Sequence, residues 1–156
     1  MPRIPKETSD AIANGEIERG GNRKAFEGYV LARMTEAEET DEKDSGYAGQ
    51  DLTFEVVEPR NVKGYKVWEY ISYAPQAGWK WAALFEAFGF EPDSDTDELV
   101  EAGEDEADPA YVILDCSIEV QTKGKNKGKG KTKVQDYLDP TNPDNRDLIG
   151  VTLDGD

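Results

Sequence analysis

Six lysines, Lys123, Lys125, Lys127, Lys129, Lys131 and Lys133, occupy every second position of an eleven-residue run that contains no acid, with Gly124, Gly128 and Gly130 between them. Such a run is an adaptable array of ammonium groups, and the chemistry open to it is the binding of a phosphate backbone. The chain around it has the opposite sign. Its 156 residues hold 34 acids and 18 bases, a net charge of −16. Six of the 18 bases lie in the run, leaving 12 to face all 34 acids elsewhere. A surface of that sign repels phosphates, so any nucleic-acid contact has to be local to the lysines.

Binding a single strand also needs aromatic faces on which bases stack. Trp68 and Tyr70, with Lys66 beside them, alternate with Val67 and Ile71 and so point away from the core of a predicted strand. They are the expected stacking and phosphate platform. Tyr29, Tyr137, Lys63 and Arg60 are expected to extend its track. Trp79 and Trp81 flank Lys80, but Trp81, Leu84, Phe85 and Phe88 recur at helical spacing, which assigns Trp81 to a core and leaves only Trp79 open as a surface ring.

Other chemistries find little support. The chain has no histidine and one cysteine, Cys116, which removes imidazole-based triads, zinc sites built on histidine, and any intrachain disulfide. Asp93, Asp95, Asp97 and Glu104 match four positions of a calcium-loop register, but Glu98 stands where that loop needs glycine. No catalytic residue, metal or cofactor is expected. No apolar run approaches the ~18 residues of a membrane span, and the first residues lack the apolar stretch of a signal peptide. The expected location is a cytosol.

The elements that must carry these residues are legible as periodicity. Residues 1–23 lack apolar spacing and are expected to form a poorly ordered arm. Alternation from Phe26 through Met34 predicts a first strand, followed by a solvated acidic connection over 36–44. Leu52, Phe54 and Val56 predict a second strand, and Tyr65 to Tyr73 a third, with Tyr65, Val67, Ile71 and Tyr73 inward. A helix is predicted over 76–88, ended by Gly89. Residues 91–108 hold ten acids and no base, which predicts a flexible acidic loop. A fourth strand follows over 111–121 with Val112, Leu114, Cys116, Ile118 and Val120 inward. The basic run over 123–133 is then a hairpin loop, and a fifth strand runs to Leu138 with Val134 and Leu138 inward. Residues 139–156 are expected as an extended acidic tail.

Three strands, one helix and two strands within 24–138 is the element order of an OB-fold, a five-stranded Greek-key barrel with its helix between strands three and four. The expected class is therefore an all-β-dominated, OB-fold-like barrel with flexible tails. In that fold the loop between strands four and five overhangs the binding face, the position taken here by the lysine run.

The segments Phe26-Glu27-Gly28-Tyr29-Val30, Leu52 to Glu58, Gly64 with Val67-Trp68-Glu69, Ala77-Gly78-Trp79-Lys80 with Leu84 and Ala87-Phe88-Gly89, and Lys131 to Val134 with Tyr137 occur in a familiar order. Over roughly residues 26–140 the chain resembles a bacteriophage family of unknown-function domains from replication and recombination gene clusters, similar to phage single-stranded DNA-binding proteins. The resemblance implies coating of single-stranded DNA in replication or recombination, in the host cytoplasm. It also implies replication or recombination proteins as partners. A homodimer would cover outward aromatics that one strand does not use. The tail lacks the terminal aromatic residue with which many bacterial single-strand binders recruit partners. The competing expectation is an acidic protein-interaction or inhibitor module, a DNA mimic that binds no nucleic acid. A third is a structural phage protein on the same barrel.

Overall fold

The computed structural model describes residues 24–154. The expected arm over 1–23 lies outside the described residues, as do positions 155 and 156. Strands β1 (Phe26–Glu39), β2 (Gly49–Glu58) and β3 (Lys66–Ser72) precede helices α1 (Gly78–Phe88) and α2 (Thr96–Gly103). Strands β4 (Val112–Val120) and β5 (Gly130–Leu138), a short helix α3 (Pro143–Arg146) and β6 (Gly150–Leu153) complete the order. The antiparallel sheet runs β3-β2-β1-β4-β5, and its two edge strands approach each other. The result is a nearly closed, OB-fold-like barrel that leaves little of either edge exposed.

The predicted inward faces of the first three strands form this core: Phe26, Val30, Ala32 and Met34 from β1, Leu52, Phe54 and Val56 from β2, and Val67 and Ile71 from β3 are all buried. Helix α1 plugs the barrel with Leu84, Phe85 and Ala87. It starts after a 3-10 turn at Pro75–Ala77, and it stops where Gly89 adopts the left-handed conformation at φ 81°. No helix among the described residues is long and apolar enough to cross a membrane.

Five expectations need correction. The acidic connection begins later than predicted, because β1 continues to Glu39 and pairs Glu36 to Glu39 with Thr53 to Gln50 of β2. The acidic segment 91–108 is not simply a flexible loop. It contains α2, capped reciprocally by Asp95 and Glu98 and anchored by Leu99, which is fully buried against β1.

In β5 the inward residues are Val134 and Tyr137, whereas Leu138 is only half-buried. The register shows why: Val134 pairs with Cys116 and Asp136 with Asp115, so Gln135 is an extra residue that reverses the alternation beyond it. Likewise Val120, predicted inward, is 60% exposed, because β4 and β5 continue as a two-stranded ribbon past the barrel.

The tail, finally, is not extended over 139–154. Asn142 caps α3, and β6 pairs with Phe26 to Tyr29 of β1. Strand β4 occupies one side of β1 there, and β2 pairs with β1 only from Leu31 onward, so β6 takes the side that β2 leaves. Gly28 makes this possible. Its φ of 128° belongs to glycine, and a Cβ there would run into the Gly150 carbonyl and within 2.9 Å of Val151 Cα.

Cys116 is a core residue, as its place in β4 predicted. Burial, reinforced by the nearby carboxylates of Asp115 and Glu69, pushes its thiol up to about 12. At pH 8 in native buffer the thiol is therefore expected to resist a thiol-specific disulfide reagent, and to react fully once denaturant opens the barrel. Stoichiometric labelling of the folded chain within minutes would contradict this placement.

Candidate nucleic-acid interface

A groove of about 750 Å³ lies between β3 and the start of β5, beneath the β4–β5 loop. Strand β3 supplies Lys66, Trp68, Glu69 and Tyr70. The β4–β5 hairpin supplies Glu119, Lys129, Lys131 and Lys133, and Lys24 adds a further ammonium at one end. Among the described residues, five lysines thus line the groove with two glutamates, on a chain whose net charge is −16. The local sign is reversed.

Local folding explains the placement. In β3 the buried Val67 and Ile71 fix the strand's orientation, which turns Lys66, Trp68 and Tyr70 to the outer face opposite Glu55, Thr53 and Asp51 of β2. Trp68 is 56% exposed. Tyr70 is a weaker platform than predicted. The Lys43 ammonium sits 5.2 Å from its ring centroid, and its buried hydroxyl lacks a hydrogen-bond partner among the described residues. A base stacking on Tyr70 has to displace Lys43 from that ring face, or arrive on the other.

The basic loop is a folded turn. Gly128 N–H donates to the Gln121 carbonyl at 2.8 Å and Gln121 N–H to the Lys129 carbonyl at 2.9 Å, while Gly124 and Gly128 take positive φ. Lys123, Lys125, Lys127 and Lys129 are exposed around it and form no ion pair with any other described residue. Lys131 and Lys133 instead share Glu119, at 3.8 and 3.2 Å. Both pairs are substantially exposed, so each is weak and yields readily to a competing phosphate.

Glu69 is one of three charged groove residues, with Lys24 and Glu119, that sequence reasoning missed. It points toward the seam between β3 and β5, with 10% of its side chain exposed, 3.7 Å from Lys80 Nζ. Burial raises its pKa against the opposing pull of Lys80 and Lys133, and the Tyr137 hydroxyl donates to it at 3.5 Å. Its inward position follows from the alternation that turned Trp68 outward. A glutamate between two outward aromatics was the available signal.

The remaining predicted residues lie elsewhere. Tyr137 is buried in the barrel, so it offers no ring to a base, because the Gln135 bulge turned it inward. Tyr29 is half-buried on β1 opposite Gly150 of β6. Arg60 and Lys63 are exposed on the β2–β3 turn and do not line the groove. Trp79 is exposed at the start of α1 beside Lys80, whose ammonium is 5.8 Å from its ring centroid. Of the predicted track, the structure brings together Lys66, Trp68, Tyr70, Lys129, Lys131 and Lys133, with Lys123, Lys125 and Lys127 on the loop above.

No group of three or more histidine, cysteine, aspartate or glutamate residues able to hold a metal ion occurs among the described residues. Asp95, from the calcium-like register, is engaged as the α2 cap. No protein-family model and no curated protein matches this sequence.

Proposed function

We propose that this chain is a single-strand nucleic-acid-binding protein that holds single-stranded DNA in the groove between β3 and the β4–β5 hairpin. The observation that supports it best is the convergence of an exposed Trp68 with five lysines drawn from separate segments, on a chain that is otherwise strongly acidic. The phosphates follow the lysines, one base stacks on Trp68, and the acidic remainder of the surface discourages wrapping by duplex. The OB-like barrel accommodates this reading, because its outer β2–β3 face and β4–β5 loop are the usual places for an oligonucleotide. The resemblance to phage replication and recombination proteins supplies the setting: coating of strands exposed during those processes.

Trp68→Ala tests the base-stacking half of the proposal. It removes ~1–3 kcal/mol of stacking, roughly a 5- to 150-fold rise in Kd for a labelled thymidine oligonucleotide. The dependence on salt stays the same, because no phosphate contact is lost. A Kd within twofold of the unsubstituted chain would exclude Trp68 as the platform.

A further inference from the structure

A second cleft, of about 590 Å³, opens where the carboxyl end of β1 meets α1 and the start of α2. It is remote from the nucleic-acid groove. Strand β4 runs antiparallel to β1, so the basic hairpin lies beyond the amino-terminal end of β1, while this cleft begins at Ala37 and Glu39.

Three rings form one wall as a stair. Tyr73 and Trp81 stack at 5.9 Å with planes 25° apart, and Trp81 and Phe85 at 6.3 Å with planes 24° apart. Tyr73, predicted to face the core, lies just past the end of β3 and is exposed. The rings are held in place. Trp81 Nε1 donates to the Ser72 carbonyl at 2.8 Å, and Thr96 Oγ1 donates to Gln50 Oε1 at 2.7 Å, whose amide donates in turn to the Tyr73 hydroxyl at 2.9 Å.

Glu39, Asp93, Asp95 and Asp97 also line the cleft, and no lysine or arginine among the described residues does. Asp95 is committed to the helix cap, which leaves three carboxylates without an ion-pair partner among the described residues. Acids alone would be a solvated rim. Acids that share one cleft with a fixed, partly exposed tyrosine–tryptophan stack form a complementary surface for a flat cation.

We propose that this cleft is a docking site for an arginine side chain presented by a basic segment of a partner protein. The guanidinium stacks on the Tyr73–Trp81 wall while its N–H fork meets Asp93 and Asp97. An arginine suits the site better than a lysine because the wall is planar and guanidinium is the more weakly hydrated cation. A basic partner suits it better than a second copy, because two chains of net −16 repel each other. The site does not depend on the nucleic-acid groove.

The test uses the full chain carrying Trp68→Phe and Trp79→Phe, which leaves Trp81 as the sole tryptophan. A capped peptide of alternating arginine and glycine is titrated at low salt, with its lysine counterpart in parallel. Saturable change in Trp81 fluorescence is expected with the arginine peptide. Kd should rise tenfold or more in Asp93→Asn/Asp97→Asn, which keeps the Asp95 cap, and severalfold in Tyr73→Ala. No saturable change would overturn the proposal, as would binding that survives the Asp93/Asp97 change within twofold, since that is general attraction to an acidic surface. Equal affinity for the lysine peptide would overturn the stacked guanidinium. Association of the chain with itself, lost on the same two substitutions, would identify a second copy as the occupant and overturn the choice of partner.

Discussion

Replacing Lys123, Lys125, Lys127, Lys129, Lys131 and Lys133 together with serine is expected to weaken binding to a thymidine oligonucleotide about a hundredfold or more at ~0.1 M salt, and to flatten its salt dependence. Each lysine that neutralises a phosphate releases about 0.7 of a counterion from a single strand, so four to six contacts give a log–log slope of roughly −3 to −4. The range reflects the structure. Four of the lysines have no ion pair with another described residue, whereas Lys131 and Lys133 must first give up Glu119. The substituted residues lie on an exposed turn and the outer sides of β5, and the turn's glycines are retained, so thermal stability is expected to change little. Anisotropy titrations at several salt concentrations, beside a melting curve, separate the two effects. A substituted chain that melts normally yet keeps its slope would place the phosphate track elsewhere.

The second large effect concerns the fold that carries the groove. Gly28→Ala places a methyl group against the Gly150 carbonyl and Val151 in a backbone conformation that side chains rarely adopt. Strand β6 must then leave β1. The expected cost is about 3 kcal/mol, the sum of backbone strain and lost pairing, and a fall in Tm on the order of 10 °C for a domain of this size. Hydrogen exchange should show the loss first at Phe26 to Tyr29 and Gly150 to Leu153, the residues that pair. Gly46→Ala is the matched control: it also has positive φ, but open space surrounds the added Cβ. Its cost should be that of backbone strain alone. Equal melting of the two variants would mean that contact with β6 contributes nothing.

The barrel was legible because its strands alternate. Leu52, Phe54 and Val56, or Val67 and Ile71, announce a half-buried strand without help from the rest of the chain, and the order of such segments limits the topology. What escaped is what alternation does not encode. One extra residue at Gln135 reverses the faces of Asp136, Tyr137 and Leu138, and nothing in those residue types marks the bulge. Helix α2 has only Leu99 and Val100 to bury amid acids, too few for a periodic signal. Its Asp95…Glu98 spacing was nonetheless a readable capping box. Strand β6 is four residues long, and its pairing depends on a conformation of Gly28 that composition does not reveal.

The candidate groove divides the same way. Lysine spacing and the outward register of Trp68 follow from residue type and strand period, so both stood in the sequence. The position of Lys43 over Tyr70 and the descent of Glu69 into the seam depend on how a loop and two sheet edges close in space. Trp81 and Tyr73 show a related limit. Helical spacing placed Trp81 against the core, which is one of its sides; its contact with Tyr73 and the acidic cleft arises only when β3 ends beside α1.

The most direct measurement is a titration of fluorescent thymidine oligonucleotide with the full chain, from low to moderate salt, read by anisotropy and by tryptophan quenching. The account predicts saturable binding that quenches tryptophan, with a log–log salt slope of roughly −3 to −4. Absence of binding even at low salt would contradict it and favour the acidic interaction module that binds no nucleic acid.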